Sequence, residues 1–383
     1  MWEYPRTFVE QIKRYIVMRF LLVLVASLLL FPTYVNAQKR VVDVTNQAPV
    51  AAATILDSAG NMVGYTTIDG VFSDFSDSAY PITICCIGYE PLIVAAPQEK
   101  PCEMTPTVYQ LDEVVVVPVE RNILKQIFYA REYFSISSEN EATTFFVEHM
   151  VERFVSASDK SKFRGDESLQ ILESRCYSQL KVAGVDSVSV SNKSKIPSML
   201  SIFDLSNEPI NAPESFKSQT DASKIYEKAG KSGMSLIQKQ GAQTFTQIND
   251  TLAEQPNHTA SPWFLKLLGF TMDINQLYMT QVYRANESGV YLPKDLIEAG
   301  FVMEADGVGA TLRKVFNSEK PVDLRAMVEL YLVDYAYLSK EEYKAERKNK
   351  TKTSQFIIPS TVPPLNSATE QLVVRAKAEA KSK

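Results

Sequence analysis

The chain has 383 residues, 45% of them hydrophobic and 22% charged, with 19 prolines, 14 glycines and a formal net charge of −5. That length allows two or three domains with real cores, and the acidic balance excludes a nucleic-acid partner, which needs clustered basic surface. Only two histidines and four cysteines are present, so imidazole or thiol chemistry is confined to a few positions.

Met18 and Arg19 precede FLLVLVASLLLFP, an apolar run of 13 residues, and Val35-Asn36-Ala37 makes an A-x-A-like cleavage site. The run is shorter than the ~20 residues of a membrane span and no lipobox cysteine accompanies it, so residues 1–37 are predicted to be a secretory signal peptide. The charged and aromatic residues 1–17 read as a mis-assigned start. Removing residues 1–37 takes away four basic residues (Arg6, Lys13, Arg14, Arg19) and two acids (Glu3, Glu10), and the charge moves from −5 to −7.

Residues 38–118 read as short β-branched strands broken by turns, the spacing of a sandwich. Asp69-Gly70 supplies a reversal. Gly88 marks a bulge or close backbone approach, and Pro91 demotes the following LIV to an edge or strand start. Val114 to Val117 make a strand apolar on both faces. Cys85 and Cys86 point to opposite faces of one strand, so at most one of them reaches Cys102; a Cys85–Cys102 or Cys86–Cys102 bridge stands as the alternative to buried free thiols.

The succession APVAAATI, GYTTIDGVF, ITICCIGYEPLIV and LDEVVVVP resembles the carboxypeptidase regulatory-like domain of Bacteroidota envelope proteins, a transthyretin-like sandwich. Thr66, Gly70 and Phe72 match its T-x-x-x-G-x-F element, Gly88 and Tyr89 its GY, and Leu111 to Val116 its LDEVVV. The family's early glycine is replaced here by VVDVTN. The resemblance implies a cell-envelope protein, periplasmic or outer-membrane associated. It does not imply an activity, because the module stands in front of many different domains.

Residues 119–339 are predicted to form an α+β domain with an antiparallel sheet. Ile123, Leu124, Ile127, Phe128 and Tyr133 are spaced for a helix over Asn122–Phe134, with Asn122 as cap. Residues 143–155 alternate as a strand, DESLQILESRCYSQLKV fits helix or strand, and 275–284 and 327–338 alternate as half-buried strands. Asp306-Gly307 reads as a turn. Polar, helix-favouring stretches such as Ser206–Lys239 exclude a large outer-membrane barrel and disfavour a small one. The order of segments is similar to the periplasmic portion that follows this sandwich in other Bacteroidota proteins, for which a curved sheet of the lipoprotein-carrier kind is implied. Residues 340–383 form a tail: a charged solvated stretch, then FIIPSTVPPLN extended against the body, then a terminal helix.

Catalytic signatures are missing. His149-Met-Val-Glu152 and, 106 residues beyond Glu152, His258 echo the H-x-x-E and distant histidine of zinc peptidases. No matching substrate clamp accompanies them, and His149 reads as a strand residue. No G-x-S-x-G elbow exists. Cys176 beside Arg175 reads as structural rather than activated. Asp112 and Glu113 face opposite ways, and AGKSG at 229–233 lacks P-loop spacing. Trp263, Phe264, Leu267, Leu268 and Phe270 make an apolar core helix or a ligand-facing lid. Asp-Ser/Thr-apolar triplets at Asp57, Asp77, Asp186 and Asp250 resemble Bacteroidota O-glycosylation sites.

The expected protein is therefore mainly β with α+β, a sandwich followed by an α+β domain. It is expected to be a non-enzymatic envelope binding or assembly module with no catalytic, cofactor-binding or metal residues. An envelope protein partner is expected; carriage of an apolar or lipid ligand and a zinc-dependent hydrolase are the alternatives.

Overall fold

The computed structural model describes residues 39–107, 121–138, 141–157, 168–182, 184–192, 200, 210–211, 226–230, 233–240, 245–251, 271–284, 290–316, 318–349 and 355–381, with backbone alone over 210–251. The signal peptide, Val114 to Val117, Asp112, Glu113, His258 and the Trp263–Phe270 segment lie outside these residues. The protein is mainly β, an N-terminal sandwich followed by one large antiparallel sheet and a few C-terminal helices.

The sandwich holds β1 (Lys39–Asp43), β2 (Thr54–Leu56), β3 (Met62–Tyr65), β4 (Val71–Phe72), β5 (Ile82–Cys85), β6 (Leu92–Val94) and β7 (Cys102–Met104). They form a three-stranded sheet ordered β4-β1-β7 and a four-stranded sheet ordered β3-β2-β5-β6. VVDVTN supplies β1, which pairs parallel with β7. The core between the sheets includes Val41, Ile55, Phe72, Ile84 and Met104.

Three of the residues singled out in the sequence have clear tasks here. The fully buried Thr66 donates to Val50 O at 2.6 Å and accepts from Ala53 N at 2.9 Å. Gly70 sits at φ 70°, where a Cβ would stand 2.4 Å from Val41 O, so only glycine lets the chain cross from β3 to β4. Gly88, at φ 83°, brings its N–H within 3.2 Å of Glu298 Oε2, the close approach expected of it. Pro91 precedes β6, the edge strand of its sheet.

The second part is built on β8 (Ile123–Ser137), β9 (Ala142–Ser156), β10 (Gln170–Val182), β11 (Val185–Ser191), β12 (Ile210–Asn211), β13 (Tyr226–Gly230), β14 (Gly233–Gln240), β15 (Phe245–Thr251), β16 (Thr271–Arg284), β17 (Val290–Tyr291), β18 (Leu296–Val308) and β19 (Val322–Leu338). Ten of these form one sheet ordered β11-β10-β9-β8-β19-β18-β16-β15-β14-β13, antiparallel throughout. The α-helices among the described residues are α1 (Ala310–Phe316), α2 (Lys340–Lys348) and α3 (Ser367–Lys381).

Several local expectations are corrected. Asn122–Phe134 is not a helix; it lies in β8. Ile123 and Ile127 face one side of the sheet and Leu124 and Phe128 the other, and adjacent apolar pairs four residues apart satisfy a strand covered on both faces as well as they satisfy a helix. Asp306-Gly307 is no turn but part of β18. Gly307 is there because a Cβ would meet Leu312, Leu324 and Val322 at 2.9 Å, and the chain reverses at Gly309 (φ 144°). Helix-favouring residues within 206–239 form β13 and β14, an antiparallel pair in which Gly230, the last residue of β13, faces Gly233, the first of β14. The solvated stretch after Leu338 contains α2, started by a capping box between Ser339 and Glu342. The four cysteines are free, Cys102 lying in the opposite sheet of the sandwich from Cys85.

Candidate functional site

Register separates the two faces of the large sheet, because directly paired residues share a face and neighbours along a strand alternate. Phe128, Val151, Leu330, Ala299 and Met279 fall on one face, here called the apolar face. Tyr129, Met150, Tyr331 and Val282 fall on the other.

The second face is covered by the rest of the chain. Ile87 of the sandwich packs with Tyr129, Met150, Val282 and Tyr331. It enters a notch at Gly300, where a Cβ would stand 2.7 Å from Val328 O and 2.8 Å from Ile87 Cγ1. Tyr65 OH donates to Gln276 at 2.5 Å and Glu304 at 3.1 Å, and Arg325 donates to Met62 O. A void of only about 20 Å³ remains where Ile87, Cys85 and Gly300 meet. The tail completes the cover: Phe356 and Val362 join the Ile87 cluster, and Leu372 and Ala376 of α3 pack on Phe146 and Tyr177.

Charge is buried under this cover. Tyr129 OH donates to Glu148 at 2.6 Å, and Arg131 reaches Tyr129 OH at 3.4 Å and Pro363 O at 2.7 Å. Burial pushes the Glu329 carboxyl above its ordinary range, offset in part by Arg131 and by a hydrogen bond from Tyr331. Burial, and then the charge of Glu329, push the Cys85 thiol up to about 12.

The apolar face carries the largest core cluster, twenty-three buried residues that run across β8, β9, β16, β18 and β19. Among the described residues, those joining it from outside the ten strands are few, chiefly Leu200, Tyr291, and Leu312 and Phe316 of α1. Set into this lining is a short polar row across three strands: Glu132 on β8, the fully buried His149 on β9 and Ser174 opposite His149 on β10. His149 Nε2 lies 3.1 Å from Glu132 Oε1. His149 Nδ1 and Ser174 Oγ make no hydrogen bond, although both atoms are buried; Thr143 Oγ1, in the same state, stands six residues away along β9. Arg153 and Gln126, also buried, pair across β9 and β8 further along the same face.

Of the residues proposed from sequence for zinc chemistry, the two described, His149 and Glu152, do not converge. His149 and Glu152 are three apart on a strand and project to opposite faces; Glu152 lies 3.6 Å from Lys125 on the covered side. No cluster of three metal-ligating residues occurs among the described residues. The polar row does bring a hydroxyl, an imidazole and a carboxylate together, but Ser174 gives no hydrogen bond to His149, so no base stands ready to take its proton. Cys176 is buried on the apolar face, while its neighbour Arg175 lies on the other, 3.9 Å above the ring of Phe356. The thiol and the cation do not meet.

Sequence reasoning missed the Glu132–His149 pair because the two are cross-strand neighbours separated by the β8–β9 turn. Once β8 is read as a strand, the signal is there: alternation places both on one face.

No family model matches the chain, and no curated protein matches it. Among solved structures, one titled "Lipid-protein interactions in lipovitellin" aligns with 57% of this chain and 25% of its own at 10% identity, with a TM-score of 0.29. The chain thus spans about a quarter of that protein's length, and a match of this quality does not establish a common fold.

Proposed function

We propose that this is an exported, non-enzymatic protein of the cell envelope that acts as a binding module at the periplasmic face of the outer membrane. The leader-like residues 18–37 and the regulatory-domain resemblance of residues 38–118 support the compartment. The observation that carries the binding role is the apolar face of the ten-stranded sheet, with the cross-strand pair His149 and Ser174 set into it and their buried polar atoms unsatisfied. Apolar lining with a few convergent polar groups is the general make-up of a small-molecule site, so an apolar ligand with one polar group is the form of binding this face favours. An assembly role through the sandwich is the second reading, favoured by Ile93, 70% exposed on the edge strand β6.

The test is a crosslinked pull-down of tagged mature protein from its native envelope, with proteins and extracted lipids both identified by mass spectrometry. Enrichment of an apolar compound that Ser174→Phe abolishes, in a variant with an unchanged circular-dichroism spectrum, supports the ligand reading. A recurrent protein partner without any enriched apolar compound, lost in Ile93→Asp, replaces it with the assembly reading.

A further inference from the structure

On the covered face, the sandwich and α3 do not meet the sheet everywhere. The Asp57–Asn61 turn, the first turns of α3 and the ends of β8, β9, β10 and β19 enclose a cleft of two lobes, about 330 and 370 Å³. Both lobes are lined by Gly60, Asn61, Tyr133, Ala142, Thr144 and Thr369, so they adjoin. Each alone reaches the lower end of the range of small-molecule sites, roughly 300–1,000 Å³.

The walls are fixed. The turn is held by Asp57, whose carboxylate accepts from Asn61 N at 2.8 Å and from Asn61 Nδ2. Gly60, at φ 80°, seats against α3 so closely that a Cβ would stand 2.5 Å from Asn366 Oδ1. Asn366 in turn caps α3 by accepting from Thr369 N at 2.8 Å. The floor is aromatic, Tyr133 and Phe146 with ring centres 5.0 Å apart. The sides of the first lobe are neutral hydrogen-bonding groups: Ser58, Asn61, Thr144, Gln179, Thr369 and Gln371.

The charge is uneven. Lys181 and Arg375 line the first lobe, and no carboxylate does. Asp186, cross-strand to Lys181, lies 3.4 Å from Arg375 Nη2, so the two cations face one carboxylate outside the lobe's lining, and the first turn of the 15-residue helix carries Glu370. In the second lobe Arg325 is spent on Asp323 at 3.0 Å and Glu304 at 3.3 Å.

We propose that this cleft is a binding site, separate from the apolar face, for a small polyhydroxylated anion, a sugar acid or a sugar phosphate. Its hydroxyls pair with the amide and hydroxyl walls, its ring lies on Tyr133 and Phe146, and its anionic group sits between Lys181 and Arg375. The site exists only in the whole chain, since the sandwich, the sheet and the tail each supply a wall.

The test is isothermal titration of the mature chain with glucuronate, glucose 6-phosphate and glucose. Saturable binding of at least one anion is expected, with glucose weaker by about tenfold or more, the value of one charge-assisted hydrogen bond. Which anion binds tells carboxylate from phosphate. Lys181 is exposed, so Lys181→Ala keeps the fold and weakens the anion by about the same tenfold; Thr144 lines both lobes, and Thr144→Trp crowds them and abolishes binding. Absence of saturable binding by both anions, glucose binding as tightly as they do, or binding indifferent to Lys181→Ala overturns the proposal. Apolar ligand recovered by pull-down is unaffected by Lys181→Ala, so the two readings fail separately.

Discussion

Gly300 and Ile87 fix the sandwich to the sheet through a contact that leaves no room for one methyl group. Gly300→Val forces backbone and side chains apart and is expected to lower stability by about 1–3 kcal/mol, as overpacking does. Ile87→Ala empties the notch and costs about 2–5 kcal/mol. Chemical denaturation of each variant measures both. Glu329 makes a pH prediction: its folded carboxyl titrates above its ordinary value of 4.5. Below about pH 4.5 it is protonated in both states. As the pH rises, the unfolded chain ionises first, so stability is lost until the folded group ionises too. Glu329→Gln removes this loss, and its stability relative to the wild type is expected to be more favourable at pH 7 than at pH 4. Cys85, its thiol held protonated, is expected to resist alkylation at pH 8 in the folded chain and to react on unfolding.

At the scale of elements, β9, β16 and β19 were legible as strands because polar residues such as Glu148, Gln281 and Glu329 interrupt their apolar runs at strand spacing, although β9 and β16 are buried on both faces over most of their length. The pattern failed at β8, where cover on both sides replaces alternation with paired apolar residues. It failed at Gly307 because a glycine demanded by a helix packing from α1 is indistinguishable, in one dimension, from a glycine in a turn. The signal for α2 was present and overlooked: Ser339 followed three residues later by Glu342 is a capping box. Ser339→Ala is expected to cost about 1 kcal/mol and to speed hydrogen exchange in α2 while leaving β19 protected. The polar row of the apolar face, by contrast, was not legible from motif spacing. His149 was visible, but its partner Glu132 lies on the neighbouring strand, and only the β8–β9 register joins them.

For the whole molecule, the sandwich is part of the body and not an appendage. Residues from Lys39 to Lys383 form one compact unit, and the sandwich hides Tyr129, Met150 and Tyr331, which are fully or nearly fully buried. The intact chain is expected to unfold in a single transition, followed by both near- and far-ultraviolet dichroism. Removing residues 38–118 uncovers that face and is expected to yield an aggregating or dye-binding product. Two separate transitions, or a soluble, monomeric remainder, would disprove this. The pairing of β8 with β19 has another consequence. Ile123 lies opposite Leu338, so a pair near the middle of the sheet joins the first described strand of the second part to the last. A ribosome delivers the first of these strands long before the second, and until β19 is made β8 pairs only with β9, its other edge left open. Such late-closing topology folds slowly, and the open edge of β8 is meanwhile exposed to pairing with other chains.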